Sequence, residues 1–437
     1  MTTAMSETFS SILRSVRGPE RFAVGRRILS VVALGVLASE LEPDTRRALR
    51  DSAQNDEMGA MRATLLGLAK TVEKKHLRLT SAFTEILVND AVHSRSLTDT
   101  LTGAIRIITE LGHGLERPAF GKWFSDQLDE VASVGPSTGE IATSRTMAHL
   151  LVSLARIEPG QTVYDPCCGL GGLLAYAWGS QPDLKLIGQE IHPISWALAC
   201  LRLYLLGADA DVTLVNSLTT PPPKADRIVC DPPSGPLPPM TVGIHEFIGL
   251  DTASTRRTYE SAFLARCLAA LPFDGRAAVL VTDSFLVRRG AEEGLRRFLV
   301  EEGVLEGIVG VSSKVAPWVS QDLAVIVLRG SPGPDRTVRM VDASRVAPGL
   351  RSRSRLDWSP MEAVIAAYTD GERLEGAITL SAVNVAGPGG FRPARHFATV
   401  VERQALPDLL RDAAIHDRRA QEIKSELDRL LLLLDLE

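Results

Sequence analysis

The sequence predicts an α/β protein built on a mostly parallel sheet, with an all-helical N-terminal domain and a C-terminal helical arm. Three observations carry that expectation. Residues 1–132 are nearly free of strand signals, whereas strand-like and helix-like segments alternate from about residue 141 to 345. From Leu406 to Leu434 the chain then repeats apolar positions in steps of three and four. At 437 residues the chain exceeds one ordinary domain. The texture changes divide it into a helical domain at 1–132, a catalytic α/β domain at 133–345, an irregular extension at 346–398 and an interaction helix at 399–437.

In the first segment, Met58–Glu73, Leu79–Ala91 and Leu101–Leu111 have the three-and-four apolar spacing of amphipathic helices. "GRRILSVVALGVLASE" at 25–40 resembles a twin-arginine signal, but its apolar stretch, Ile28–Ala38, is too short to span a bilayer. It reads as a buried helix of a cytoplasmic protein with no membrane segment. "SVGPSTGE" at 133–140 is a polar break between domains.

Beyond it, "QTVYDP", "LKLIGQE", "VTLVNS", "ADRIVCDPP", "GRAAVLVTD", "LEGIVGV" and "LAVIVLRG" read as strands. The stretches "MAHLLVSLA", "GGLLAYAWG", "SWALACLRLYLLG", "SAFLARCLAAL" and "GLRRFLVEEG" read as helices between them. That alternation predicts a parallel sheet covered on both faces, with ligands outside the carboxyl ends of its strands. After residue 345 the pattern weakens into loops such as "AGPGGFRPARHF" at 386–397.

Composition narrows the chemistry. A formal charge of −5 excludes a chain coated in basic surface, so contacts to nucleic-acid phosphates fall to local clusters or a partner. Those clusters are Arg256–Arg257, Arg288–Arg289, Arg296–Arg297 and the run Arg351, Arg353, Arg355. The five cysteines show no repeated CxxC spacing, which argues against zinc and fits a reducing cytosol.

"VYDPCCGLGGLLAYA" places Asp165 and Pro166, then Gly169, Gly171 and Gly172, between a strand and a helix, where backbone approaches a ligand closely. Glu190 ends the next strand, 19 residues beyond Gly171, where a carboxylate meets ribose hydroxyls. The spacing is not GxGxxG and no phosphate-seeking lysine follows, so a nucleoside without phosphates fits, pointing to S-adenosylmethionine. Asn216, with Ser217 beside it, ends the third strand, and its amide oxygen is placed to accept from an adenine amine.

Asp231, Pro232, Pro233 and Ser234 follow at the fourth strand end. An amine attacking a sulfonium must aim its lone pair along the carbon–sulfur bond. The Asp231 carboxylate and the Pro232 carbonyl can accept the two amine hydrogens and impose that aim, and proline has no N–H to compete.

With these motifs in order, the chain resembles the modification (methyltransferase) subunit of type I restriction-modification systems and related adenine-N6 DNA methyltransferases. "STGEIATSR" at 137–145 looks like that family's GEFYTPR segment, and "DGRAAVLVTDSFLVRRGAEEGLRRFLVEEGVLEGIVGV" at 274–311 looks like its stretch after the catalytic loop. The resemblance implies a Rossmann-like methyltransferase fold and S-adenosylmethionine as cofactor, with Glu140, Thr143 and Arg145 beside it. It further implies methylation of adenine N6 in DNA and pairing with a separate specificity subunit, for which the C-terminal helix is a docking arm.

The chain departs from the family at three places, one of them Asn216, which stands where the family has an acid at the adenine-contacting position and whose amide oxygen still accepts. Ala142-Thr143-Ser144 stands for Tyr-Thr-Pro. Asp231 stands for the usual Asn, and Ser234 for the aromatic residue that stacks on an extruded base; Phe247 is a candidate replacement by nearness in sequence. Two other functions are therefore weighed: a catalytically weakened subunit that binds cofactor and scaffolds a complex, and an amino-methyltransferase acting on another planar amine.

Overall fold

The structure, a computed structural model, describes residues 2–15, 20–41, 44–54, 58–79, 81–89, 103–105, 107–108, 116–132, 143–238, 257–313, 321–333, 336–348, 359–370, 375–387 and 389–397. The interaction helix expected at 399–437, Glu140 and Phe247 lie outside the described residues.

The N-terminal helices are α1 (Thr2–Ser15), α2 (Glu20–Leu41), α3 (Thr45–Gln54), α4 (Met58–Lys75), α5 (Ala82–Asn89) and α6 (Arg117–Ala132). Helix α2 is apolar on every side because it is the centre of this bundle: Ile28, Leu29, Val32, Ala33, Leu34 and Leu37 are all fully buried. It is long and apolar enough to cross a membrane, yet 78% of that stretch is buried inside the fold. The buried-helix reading of residues 25–40 stands.

The α/β part runs β1 (Thr162–Asp165), β2 (Lys185–Glu190), β3 (Asp209–Leu214), β4 (Arg227–Cys230), β5 (Arg276–Thr282), β6 (Leu305–Val311), β7 (Leu323–Arg329), β8 (Thr337–Asp342) and β9 (Ala377–Ser381). Its helices are α7 (Arg145–Ala155), α8 (Gly172–Ser180), α9 (Pro193–Leu205), α10 (Tyr259–Ala270), α11 (Ala291–Glu301) and α12 (Ser359–Thr369). The described strands form one nine-stranded sheet in the order β3-β2-β1-β4-β5-β7-β6-β8-β9. Strands β1 to β5 are mutually parallel, β7 lies antiparallel between β5 and β6, and β9 is antiparallel to β8. Both faces are dry. Val163, Ala278 and Leu280 point into a core with α7, α8 and α12, while Tyr164, Val279 and Val281 point into one with α10 and α11. Strand order reverses between β1 and β4, which makes their carboxyl ends the switch point where ligands bind.

Two sequence expectations need correction. The extension at 346–398 is not irregular throughout: α12 packs on the α7 face, and β9 adds an edge strand to the sheet. The helical domain is also not separate, because its core continues into α9 through Ala197, Leu198, Leu201 and Leu205. At that joint Arg202, almost fully buried, donates from Nε to Ser125 Oγ at 2.9 Å and pairs with Asp129 at 2.6 Å. Gly121 lets α6 lie directly on the Leu205 carbonyl. A Cβ there would stand 2.2 Å from that oxygen. Gly121→Ala is therefore expected to destabilise the fold by about 1–3 kcal/mol, the usual cost of overpacking. A thermal melt should fall by about 1 °C per kcal/mol in a chain of 437 residues, and an unchanged melt would show that this joint is soft.

Candidate active site

The glycine turn is fixed by its own backbone. Asp165 ends β1 and accepts the Cys167 N–H at 3.1 Å, and Gly171 N–H closes onto the Cys168 carbonyl at 2.7 Å. Pro166 is buried in the same turn. Gly169 and Gly171 take φ of 52° and 72°, the left-handed region glycine enters at least cost. Their reasons differ. A Cβ on Gly171 would press on Ala199 at 3.2 Å, so this glycine serves the packing of α8 on α9, and Gly172 opens α8. A Cβ on Gly169 would meet nothing within 4 Å, so its backbone faces open space beside the strand ends.

Glu190 is what holds the turn to β2. Its Oε2 accepts the Gly169 N–H at 2.8 Å, and its Oε1 accepts the Ile191 and His192 N–H groups, each at 2.8 Å. Ile191, which sequence reasoning passed over, is 57% exposed immediately beyond this anchor. An exposed isoleucine after a buried glutamate at a strand end is the signal that would have found it. Asn216 holds its own turn: Oδ1 accepts the Leu218 N–H at 3.0 Å, leaving one lone pair and the amide N–H groups for other partners. Ser217 is buried in that turn.

Asp231 and Pro232 leave the end of β4 beside this cleft. Asp231 is half-buried and Pro232 buried, whereas Pro233 and Ser234 are exposed. Beyond Ser234 the loop is pinned to the start of α10, with Leu237 N–H donating to Arg257 O at 2.7 Å and Tyr259 N–H to Gly235 O at 3.1 Å.

Thr143 and Arg145 go to different places. Thr143 Oγ1 donates to Asp231 Oδ2 at 2.6 Å. The Arg145 guanidinium instead turns away to pair with Asp126 and Asp129 on α6, so its described partners are structural. Ser144, where the resembled family has proline, is the N-cap of α7 and accepts the Met147 N–H at 3.3 Å.

Three carboxylates, from Asp165, Glu190 and Asp231, converge here. Burial pushes the Asp165 carboxyl up to about 8, opposed by the Cys167 N–H and reinforced by the charges of Asp231 and Glu190. Burial likewise raises Asp231 to about 6, against the lowering effect of the Thr143 hydroxyl. A cleft this rich in acid suits a cationic ligand. Asp165, Cys167 and Cys230 also bring possible metal-ligating atoms within 4.8 Å of one another. Burial raises both thiols, Cys167 up to about 12 and Cys230 well above its ordinary value.

Among the basic clusters, Arg296 belongs to the core, where it donates to the Phe285 and Arg288 carbonyls. Arg288 and Arg289 lie on an exposed tip beyond the end of β5, and Arg297 is exposed on α11.

Strand order, glycine turn and strand-end acid are those of a Rossmann-like S-adenosylmethionine-dependent methyltransferase fold. Within that class the chain belongs to the N-6 DNA methylase family, whose sequence profile it matches over residues 116–401. It is 25% identical, over 73% of its length, to the type I restriction enzyme MjaVII methylase subunit of Methanocaldococcus jannaschii. It spans 60% of that relative's length. In fold it is similar to the methyltransferase subunit of a type I restriction-modification system from Streptococcus thermophilus. That match has a TM-score of 0.69 at 17% identity and covers 90% of this chain and 99% of that one. A chain from a study of complex assembly in the type I restriction-modification system also aligns at TM-score 0.69 and 18% identity, over 98% of this chain and 97% of that one.

Proposed function

We propose that the chain uses S-adenosylmethionine to methylate the N6 amine of adenine in DNA, as the modification subunit of a cytoplasmic restriction-modification or related defence complex. One observation carries this reading: Asp231 and Pro232 stand at the β4 end beside the Glu190-anchored glycine turn, in an acid-rich cleft.

When bound, the cofactor supplies an electrophilic methyl group on a cationic sulfur. The residues present fit it. Gly169 leaves room for a ligand against its backbone, Glu190 offers acceptors to a ribose, Ile191 an apolar cover for a purine ring, and Asp231 a negative charge that favours a cation. The Asp231 carboxylate and the Pro232 carbonyl accept the two hydrogens of an extruded adenine amine, so its lone pair points into the cleft. Asp231, at about 6, is mostly ionised at neutral pH and can take the proton the amine sheds at its free Oδ1. The exposed Arg288 and Arg289, together with a partner, supply phosphate contacts that a net charge of −5 does not supply overall.

Exposed Ser234 favours a second reading, a subunit that binds cofactor and scaffolds a complex without turnover. Sequencing host DNA for modified adenine separates the two. The enzyme reading expects methylated adenine at a recurring sequence, lost on deletion of the gene; no difference on deletion sinks it.

The partner is proposed to be a DNA-specificity subunit docked through residues 399–437, on the strength of the apolar stripe alone. Removing residues 400–437 should leave cofactor affinity within about twofold while releasing co-purifying subunits, since most of a helical interface's energy sits in a few apolar anchors. Loss of fold on truncation would place the segment in the core instead.

A further inference from the structure

We propose that Thr143 is a positioning residue for Asp231, its hydroxyl holding one carboxylate oxygen so that the other is presented to the substrate amine. The inference rests on the methyltransferase reading above and departs from the sequence expectation that Thr143 contacts cofactor.

A carboxylate has two equivalent oxygens and rotates easily about its last bond, whereas aiming an amine needs one acceptor at one place. The hydrogen bond from Thr143 Oγ1 to Asp231 Oδ2, at 2.6 Å, removes that freedom and, among the described residues, leaves Oδ1 open. Thr143 is itself well fixed. The next residue, Ser144, caps α7 through its side chain, and its carbonyl accepts the Ala148 N–H at 2.8 Å. Helix α7 in turn packs its Leu150, Leu151 and Leu154 into the sheet core. A threonine hydroxyl can donate to a carboxylate or accept from an amide, so the same residue suits either Asp or Asn at the catalytic position. In this chain it must donate.

The titratable groups around Asp231 give the inference a pH signature. Asp165 faces it from the end of β1 with Glu190 behind, and Cys167 faces it from the glycine turn, its Sγ 3.7 Å from the Asp231 carbonyl; Cys230 precedes it on β4. Burial keeps the two thiols neutral, and Asp165 titrates higher, at about 8. Of Asp231, Asp165 and the two thiols, Asp231 titrates lowest, near 6. The Thr143 hydroxyl lowers that value, so removing it should move the inflection to higher pH.

The test uses the full-length protein purified from its host with its co-purifying subunits, as wild type, Thr143→Val, Thr143→Ser and Asp231→Asn. Methyl transfer to host DNA is followed from pH 5 to 8. Thr143→Val is expected to lower kcat on the order of tenfold, a partial loss of the aim that a full 1 Å misplacement costs about 100-fold. Its KM for S-adenosylmethionine should stay within about twofold, its acid limb should move to higher pH, and Thr143→Ser should restore both kcat and limb. A raised KM with kcat and acid limb unchanged would overturn the proposal and return Thr143 to the cofactor.

If wild type transfers no methyl group to DNA, the enzyme reading fails, and Thr143 is judged separately by calorimetry of S-adenosylmethionine binding across the same pH range. An inflection near 6 that rises in Thr143→Val and vanishes in Asp231→Asn supports the positioning role; one that ignores Thr143 refutes it. Thr143→Ala carries both arms if Thr143→Val does not fold.

Discussion

Asp231→Ala is expected to reduce methyl transfer by about 100- to 1000-fold, the scale on which losing one preorganised polar group at a reacting centre is felt. Cofactor affinity should change far less. The geometry explains the asymmetry. Asp231 touches the cofactor side of the cleft only through space, whereas its Oδ1 and the Pro232 carbonyl are the paired acceptors for a substrate amine. Ser234→Tyr in the same assay should keep or raise activity, because base–aromatic stacking is worth about 1–3 kcal/mol. Its absence costs far less than the total acceleration an enzyme supplies. Full transfer by Asp231→Ala would remove the mechanism, and no transfer by wild type with its partners would leave the scaffold reading in place.

The seven strands expected between residues 141 and 345 are all present as β1 to β7, because most are short apolar runs bounded by turn residues and several are set apart by helical stretches. Strands β8 and β9 were illegible for identifiable reasons. Arg339 sits mid-strand in β8, its charge satisfied by the Ala367 carbonyl of α12, so no apolar run shows. Strand β9 is an edge with alternate residues half-exposed. Strand β3 begins at Asp209, earlier than its apolar run, for the same edge reason. In the site, the glycine turn and Glu190 could be read because their chemistry lies within one β-α-β unit. The Thr143–Asp231 contact spans 88 positions and pairs two polar residues with no periodic signal. Arg145 shows the converse. A basic residue beside a recognisable motif reads as a ligand contact, yet Asp126, 19 positions earlier, claims it.

Glu190→Ala is expected to weaken S-adenosylmethionine binding by about 1–3 kcal/mol, or about 5- to 150-fold, the cost of losing hydrogen bonds to a charged acceptor. The carboxylate has about four acceptor positions, and the hydrogen bonds of Gly169, Ile191 and His192 already occupy three. The open position is on Oε2, the oxygen that also holds Gly169, so a ribose hydroxyl and the glycine turn are anchored at one atom. Alanine would orphan all three N–H groups as well as the ribose, and the protein should lose stability along with affinity. Glu190→Gln separates these effects. It keeps one acceptor oxygen but puts an N–H₂ group against backbone N–H donors, so it should weaken binding without matching the alanine loss. Calorimetry of both variants, read beside their thermal melts, checks the argument. Wild-type affinity in Glu190→Ala would mean that the ribose is held elsewhere and that Glu190 serves only to tie the glycine turn to β2.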